Sequence, residues 1–283
     1  MIEKIDIYCF SGTGNTLLAA REMAEVFRER GAEVRLLALE KSDPAAVDRS
    51  RTLGLAFPVA AQSTYPFIWD FLDRLPPGKG AGVFMVDTLH SFSGGIVGPL
   101  RKALARKGYR PLGAKEIRMP NNFFPGRIDS GKNEGKKTAG LEEARRFAAA
   151  LLEGSASWGR VPVLSGLLCR FSRSRLITGY LRRRGEKFRV DETACVRCGL
   201  CARLCPVGNI SAGDPPVFAD RCQLCMRCVS FCPAGAITVP GKKYEVYRAV
   251  EAADLLPAAG VHTAGSGPDR AAESMTPGQG GGK

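Results

Sequence analysis

The sequence predicts an α/β protein, in which a doubly wound parallel sheet is followed by a small, cysteine-rich α+β domain. Three observations predict this fold class. Strand and helix patterns alternate through the N-terminal half. A polar, glycine-rich loop follows the first strand directly, and eight of the ten cysteines form two copies of one spacing near the C-terminus. The length of 283 residues fits two domains.

The N-terminal half alternates short apolar runs with amphipathic helical patterns. The predicted strands lie at Met1–Phe10, Glu33–Leu39, Arg51–Ala60, Gly82–Leu89, and from about Tyr109 to Pro120. The predicted helices are one that begins after Thr16, then Tyr65–Leu75, Val97–Lys107 and Ala139–Leu152. Strands that alternate with helices favour a parallel sheet covered by helices on both faces.

The loop after the first strand is suited to a phosphate group. It reads Ser11-Gly12-Thr13-Gly14-Asn15-Thr16. A strand, a glycine-rich loop and a helix in this order present backbone N–H groups and a helix N-terminus to an anion. The loop lacks the lysine of a nucleotide P-loop and the G-x-G-x-x-G spacing of dinucleotide folds. The alternative is an ordinary turn between a strand and a helix.

Eight cysteines follow the spacing C-x-x-C-x-x-C-x-x-x-C-P twice. They are Cys195, Cys198, Cys201, Cys205, Cys222, Cys225, Cys228 and Cys232. This is the ligand pattern of bacterial iron–sulfur proteins, in which the fourth cysteine of each run ligates the other cluster. It predicts two 4Fe–4S clusters, one held by Cys195, Cys198 and Cys201 with Cys232 and the other by Cys222, Cys225 and Cys228 with Cys205. Structural zinc fits this spacing less well, and disulfides are not expected in a chain of this length with no signal peptide.

The repeat extends beyond the cysteines. Pro206-Val207-Gly208-Asn209-Ile210 matches Pro233-Ala234-Gly235-Ala236-Ile237 at a constant offset of 27 residues. We therefore expect two halves that are related by a pseudo-two-fold axis.

These motifs together resemble a known combination of domains. Ser11–Thr16 resembles the flavodoxin phosphate loop, and Phe188–Pro240 resembles dicluster bacterial ferredoxins. With the Met119-Pro120-Asn121-Asn122 stretch, the chain resembles a family of flavodoxin–ferredoxin fusion proteins of anaerobic bacteria and archaea. The resemblance implies a flavodoxin-like sheet of strand order 2-1-3-4-5, FMN with its phosphate on Ser11–Thr16, and a soluble redox protein.

The flavodoxin resemblance also implies where a flavin ring lies. The ring is expected between the loops Pro58–Pro66 and Thr88–Gly95. Familiar flavodoxins stack the ring between aromatic side chains, for which this chain offers Tyr65, Phe92 and His90. We expect Phe92 to be the stacking residue, because Tyr65 alternatively begins the next helix against the core.

The two motif regions and what they resemble, together with charge and composition, suggest four regions. We expect a flavodoxin-like, FMN-type domain over residues 1–154, a basic connector over 155–187, a dicluster ferredoxin domain over 188–250 and a disordered tail over 257–283. The net charge is +13, and residues 155–190 carry nine Lys or Arg against Glu186 alone. Such a connector either covers a domain face, docks an acidic redox partner, or contacts a membrane peripherally.

We expect an electron-transfer protein that relays single electrons through two clusters, to or from FMN. The alternatives are a flavin-dependent reductase fed by the ferredoxin domain, and a cofactor-free docking module attached to a ferredoxin. No catalytic residue, nucleic-acid motif or transmembrane run stands out, and we expect a cytoplasmic location. Four arginines would raise a cluster's potential if close to it: Arg197, Arg203, Arg221 and Arg227.

Overall fold

A parallel sheet of five strands organises the N-terminal half. The computed structural model describes residues 2–91, 95–122, 130–159, 163–239 and 245–256. The strands are β1 (Lys4–Cys9), β2 (Glu33–Ala38), β3 (Thr52–Pro58), β4 (Gly82–Leu89) and β5 (Arg110–Arg118). Their order is β2-β1-β3-β4-β5 and all the pairings are parallel. The predicted flavodoxin-like order is confirmed.

Helices cover both faces of this sheet because its strands are apolar on both sides. The helices are α1 (Asn15–Glu29), α2 (Pro66–Asp73), α3 (Val97–Arg106) and α4 (Ser130–Glu153). Met23 and Phe27 of α1 pack with α4 on one face, while Ile68 of α2 and Leu100 of α3 cover the other.

The fourth helix is longer than predicted. It begins at Ser130, whereas the prediction began at Ala139. The extra turns read Ser-Gly-Lys-Asn-Glu-Gly-Lys-Lys-Thr and carry no apolar stripe, so hydrophobic periodicity could not reveal them.

Two further helices join the sheet to the cysteine-rich region. They are α5 (Val163–Ser172) and α6 (Arg175–Gly185). Their exposed side chains include Leu167, Phe171, Leu176 and Tyr180. None of the helices in the described ranges is long and apolar enough to cross a bilayer.

The cysteine-rich region has two short antiparallel ribbons and two short helices. The elements are β6 (Arg189–Val190), α7 (Leu200–Leu204), β7 (Ile210–Ser211), β8 (Val217–Phe218), α8 (Arg227–Ser230) and β9 (Ile237–Thr238). Strand β6 pairs with β9, and β7 pairs with β8.

The backbone of this region repeats at the 27-residue offset. The left-handed residues come in pairs: φ is +54° at Arg197 and +58° at Leu224, and +68° at Gly199 and +65° at Met226. A backbone N–H also contacts the fourth cysteine of each run at equivalent positions. The two halves thus share one local fold. The domain boundaries stay a prediction, and the predicted disordered tail, 257–283, lies outside the described residues.

Candidate functional site

The phosphate loop lies between β1 and α1, at the carboxyl edge of the sheet. Gly14 precedes α1 with φ +110°, a conformation that favours glycine. No side chain caps the first turn of α1, and that turn carries no acidic residue. Its free N–H groups and the helix dipole are therefore suited to an anion.

Side chains from distant parts of the chain fix this loop. The Asn122 amide donates to Thr13 Oγ1 at 2.8 Å, and the Thr16 and Thr88 hydroxyls are 2.7 Å apart. Asn15 donates to the Pro120 carbonyl at 2.9 Å. All of these contacts hold the loop in place before any ligand binds.

The C-terminal segment returns to the same loop. The Tyr247 hydroxyl donates to Asn15 Oδ1 at 2.8 Å, and the Ala249 N–H donates to the Thr13 carbonyl at 2.8 Å. A β-carbon at Gly14 would lie 2.7 Å from Val250. Residues 247–250 therefore form an outer support of the phosphate loop.

A cavity of about 300 Å³, the phosphate-loop pocket, opens above this loop. Its walls come from the phosphate loop, residues 58–61, 88–90 and 119–122, and, from beyond the sheet, Leu181 and residues 223–226. The volume is at the lower end of the range for small-molecule sites. The pocket lies at the ends of β1 and β3, where the strand order reverses.

The three aromatic candidates for a flavin ring have different positions. Tyr65 lines the pocket, and its ring packs edge-on against Phe10 at 5.5 Å, so it contacts both the pocket and the core. His90 lines the pocket at an exposed position. Phe92, the preferred candidate, lies outside the described residues.

The eight cysteines of the two runs line two separate cavities. The first cysteine cavity is lined by Cys195, Cys198, Cys201 and Cys232. The second cysteine cavity is lined by Cys205, Cys222, Cys225 and Cys228. Each set combines three cysteines of one run with the fourth of the other, which is the predicted crossed grouping. Their role as ligands stays a prediction.

The donor set in each cavity fits an iron–sulfur cluster better than a single ion. Within the described ranges, no three His, Cys, Asp or Glu side chains are arranged around one metal ion. Burial raises the pKa of the Cys225 thiol to about 12, and burial with neighbouring thiols raises that of Cys228 well above its usual value. Four thiolates in such a space therefore need a cationic group among them. The Asn209 N–H donates to Cys205 Sγ at 3.1 Å, a contact that favours the thiolate.

The second cysteine cavity and the phosphate-loop pocket share a wall. Gln223, Cys225 and Met226, here called the shared wall, line both cavities. The contact continues into the phosphate loop, where a β-carbon at Gly12 would lie only 2.6 Å from the Cys225 carbonyl oxygen. One layer of residues therefore separates the two sites.

Arg227 fastens the cysteine-rich region to the sheet. Its guanidinium donates to the Ser11 carbonyl at 2.8 Å and lies 4.5 Å above the Phe10 ring. It also pairs with Glu40 at 2.6 Å, and both side chains are almost completely buried. Arg197, by contrast, pairs with exposed Asp214, so the four arginines do not have equivalent surroundings.

The connector helices α5 and α6 contact the phosphate-loop pocket, the second cysteine cavity and the loop after β3. Leu181 of α6 lines the phosphate-loop pocket, and a β-carbon at Gly185 would lie 2.6 Å from Cys222 Sγ. Cys169 of α5 is buried 3.5 Å from the Ser63 hydroxyl, and burial raises its pKa, as it raises that of Cys9. Neither of these two thiols is thus prepared for redox chemistry.

Sequence reasoning missed the shared wall, Glu40 and the returning C-terminal segment. One feature of the sequence indicates the shared wall. At the 27-residue offset, Arg227 corresponds to Leu200 and Gln223 to Val196. Because these two positions are polar in the second repeat and apolar in the first, they indicate that the second repeat contacts a different part of the protein.

A family model described as the 4Fe-4S binding domain matches residues 188–211 and 215–238. Two such repeats imply two 4Fe–4S clusters, as the cysteine spacing predicted. No curated protein matches the chain.

Solved structures similar to the N-terminal half include several flavodoxins. The two-electron reduced flavodoxin of Megasphaera elsdenii is 23% identical, with 52% of this chain and 99% of that one covered and a TM-score of 0.39. A short-chain flavodoxin associated with a non-canonical PDU bacterial microcompartment is 16% identical, at 55% and 100% coverage and a TM-score of 0.40. General stress protein 14 of Treponema denticola, in complex with FMN, is 11% identical, at 53% and 99% coverage and a TM-score of 0.36. The flavodoxin-like fold rests on the strand order of the chain itself.

Proposed function

We propose that this chain, which combines a flavodoxin-like sheet with two 4Fe–4S binding repeats, transfers single electrons between its clusters and FMN in the phosphate-loop pocket. The two repeats support an electron-transfer role. FMN is proposed from the loop Ser11–Thr16 and from the pocket at the switch point of the sheet. When bound, FMN supplies a carrier that exchanges one or two electrons, whereas each cluster exchanges one.

The shared wall is the observation that carries this proposal. Gln223, Cys225 and Met226 separate the phosphate-loop pocket from the second cysteine cavity. Electron-transfer rates fall steeply with distance. A wall of one residue layer therefore favours direct electron exchange between FMN in the pocket and the cluster in the second cysteine cavity. The Cys222–Cys228 run is therefore the one next to the pocket, and the Cys195–Cys201 run is the outer one.

The residues around the pocket bind and orient rather than react. The N–H groups of the phosphate loop hold the anionic end of the ligand, and the contact between the Thr16 and Thr88 hydroxyls fixes the start of α1 against the end of β4. Leu181, Leu224 and Met226 give the pocket an apolar side, which excludes water from a ring placed there. Arg227 orients the loop through the Ser11 carbonyl.

Anaerobic purification followed by metal and flavin analysis tests the proposal. We expect about eight irons and eight sulfides per chain, and about one FMN after reconstitution. Iron near four per chain would contradict two clusters. Full iron with no FMN after reconstitution would favour the cofactor-free docking module over the relay.

Two variants test the position of FMN. Asn15→Ala removes contacts to Pro120 and Tyr247, and Gly12→Ala forces the phosphate loop away from Cys225, so both should weaken FMN binding at least about ten-fold. Gly135→Ala is the matched control, because a β-carbon there meets nothing within 4 Å. Fluorescence titration of apoprotein with FMN measures the affinity, and unchanged affinity in both variants would refute the site.

A further inference from the structure

Helices α5 and α6 carry most of the large apolar side chains that are exposed in the described residues. Five of the eight lie on these two short helices: Leu167, Leu168, Phe171, Leu176 and Tyr180. Single exposed apolar side chains are normal on a protein surface, whereas a group of them on neighbouring helices marks a contact surface. These helices are therefore where a partner is expected.

On α5, the exposed apolar side chains lie opposite the side that packs on the protein. Leu167 and Phe171, 65% and 56% exposed, are four residues apart and therefore lie on the same side of the helix. Cys169 is about half a turn away from both, is buried, and lies 3.5 Å from the Ser63 hydroxyl. The inner side of α5 is thus occupied, and exposed Arg170 stands beside Leu167 on the outer side.

Helix α6 has the same arrangement. Leu176 and Tyr180, 74% and 48% exposed, share one side of the helix. Exposed Arg183 belongs to that side as well, because it follows Leu176 by seven residues. Gly185, about half a turn away from Leu176, is buried and packs on Cys222. The outer sides of both helices thus have no cover among the described residues.

The charge of these helices has one sign. Residues 163–185 carry six arginines and no acidic residue. Two of the arginines hold the helices to the protein, since Arg173 lies 3.6 Å from Asp73 and Arg182 lies 3.5 Å from Asp220. Three others form no ion pair within the described ranges: Arg170, Arg175 and Arg183. A partner for this surface must therefore be anionic as well as apolar.

We propose that the outer sides of α5 and α6 bind the anionic surface of a lipid bilayer. This surface, here called the basic–apolar face, consists of Leu167, Phe171, Leu176, Tyr180, Arg170 and Arg183. The helices lie in the plane of the interface, where the apolar side chains enter the boundary between headgroups and acyl chains and the arginines bind lipid phosphates. The proposal goes beyond the proposed electron transfer and does not depend on it, because no cluster or flavin takes part in the contact.

The mixture of charged and apolar groups on one face favours a bilayer over an acidic protein. Arg183 shares one side of α6 with Leu176 and Tyr180. An acidic protein surface would match the arginine but would place its carboxylates against the two apolar side chains. A bilayer separates these groups by depth, because the arginine reaches the phosphates while the apolar side chains insert below them. Residues 257–283 offer little alternative cover, since Val261 and Met275 are their only large apolar residues.

Anaerobic sedimentation of the cluster-loaded full chain with lipid vesicles tests this face. The probes are vesicles of phosphatidylcholine alone and vesicles that also contain phosphatidylglycerol. We expect the chain to bind the anionic vesicles at least about ten-fold more tightly, and added salt to weaken the binding. Phe171→Asn/Leu176→Asn should lower the partition coefficient about ten-fold, because two inserted side chains are lost. Arg170→Gln/Arg183→Gln should lower it about ten-fold as well, because two charges at the phosphates are lost.

Matched controls separate this face from the net charge of +13. Val217→Asn and Arg110→Gln change exposed side chains outside α5 and α6 and should leave the binding nearly unchanged. Iron near about eight per chain in each variant shows that the clusters are intact. If a double variant binds less iron, Leu176→Asn, at the most exposed position of the face, carries the test.

Equal binding to both kinds of vesicle, or binding to neither, would overturn the proposal. So would unchanged binding in Phe171→Asn/Leu176→Asn, which would reduce the contact to attraction by net charge. A dimer of the chain that this variant abolishes would assign the face to a second copy. Binding to an acidic flavodoxin in place of the vesicles, lost in both double variants, would assign it to an acidic redox protein. The iron and FMN contents of the unchanged chain test the proposed function separately.

Discussion

Arg227 joins the cysteine-rich region to the sheet. It lies between two predicted cluster ligands, yet its side chain is bound to Ser11, Phe10 and Glu40 of the sheet. A buried arginine requires a partner charge, and Glu40 supplies it. The pair therefore sets both the fit between the two parts and the charge beside the second cysteine cavity.

Glu40→Gln should destabilise the protein and raise the potential of the adjacent cluster. The substitution leaves the Arg227 charge buried without its counter-charge, which costs about 3–5 kcal/mol. An uncompensated positive charge also favours the reduced, more negative cluster. The thermal midpoint and an EPR-monitored redox titration measure the two effects.

Glu22→Gln serves as the control for this prediction. Glu22 pairs with Arg145 at the surface, at 3.1 Å, and exposed pairs contribute little. A potential that is equal in Glu40→Gln and the unchanged chain would contradict a role of this pair in tuning the cluster.

At the scale of elements, the two cysteine runs hold each other together. The first cysteine cavity contains Cys232 of the second run, and the second contains Cys205 of the first. Helices α7 and α8 also pack against each other between the cavities. Because each half completes the other's site, neither half is expected to bind its cluster alone.

Paired substitutions distinguish the crossed arrangement from the uncrossed one. Cys195→Ala/Cys232→Ala removes two ligands of the same cavity, so one cluster and about four irons should remain. Cys195→Ala/Cys205→Ala removes one ligand from each cavity and should lose both clusters. Iron analysis and EPR read the result, with Cys169→Ala as a control that keeps about eight irons. Uncrossed ligation would exchange the two outcomes.

At the scale of the whole molecule, the C-terminal segment, residues 245–256, returns from the cysteine-rich region to contact the phosphate loop. Tyr247, Ala249 and Val250 contact Asn15, Thr13 and Gly14, and Asp254 pairs with Arg21 of α1 at 2.7 Å. Each of these contacts joins residues more than 200 positions apart in the sequence, next to the phosphate-loop pocket.

Truncation after residue 244 should therefore weaken FMN binding at least about ten-fold, because the outer support of the phosphate loop is lost. Truncation after residue 256 removes none of these contacts and is the matched control. Tyr247→Phe, which loses one hydrogen bond, should weaken binding about five-fold. Equal affinities in the two truncations would contradict a supporting role for residues 245–256.

The sequence was sufficient for the alternation of strands and helices and for the two clusters, because both depend on local patterns, whereas the strand order came from the resemblance to flavodoxins. Alternating strands and helices predict the sheet, and a fixed spacing predicts the clusters. The Arg227–Glu40 pair and the Tyr247–Asn15 bond could not be predicted, because each joins residues more than 150 positions apart, and for the shared wall the repeat indicates a different neighbour without identifying it. No local period records such contacts.

The close packing around the second cysteine cavity has a consequence for how the protein is assembled in the cell. Gly185 lies against Cys222 and Gly12 against Cys225, with no space for a β-carbon at either glycine. Both glycines belong to parts of the chain that leave the ribosome before these cysteines. We therefore expect iron and sulfide to enter this cavity more readily while the sheet and α6 stand apart from it. We expect an ordered maturation, with the inner site loaded before the parts close, and we expect oxidative damage to begin at the outer site, where Cys198 is exposed.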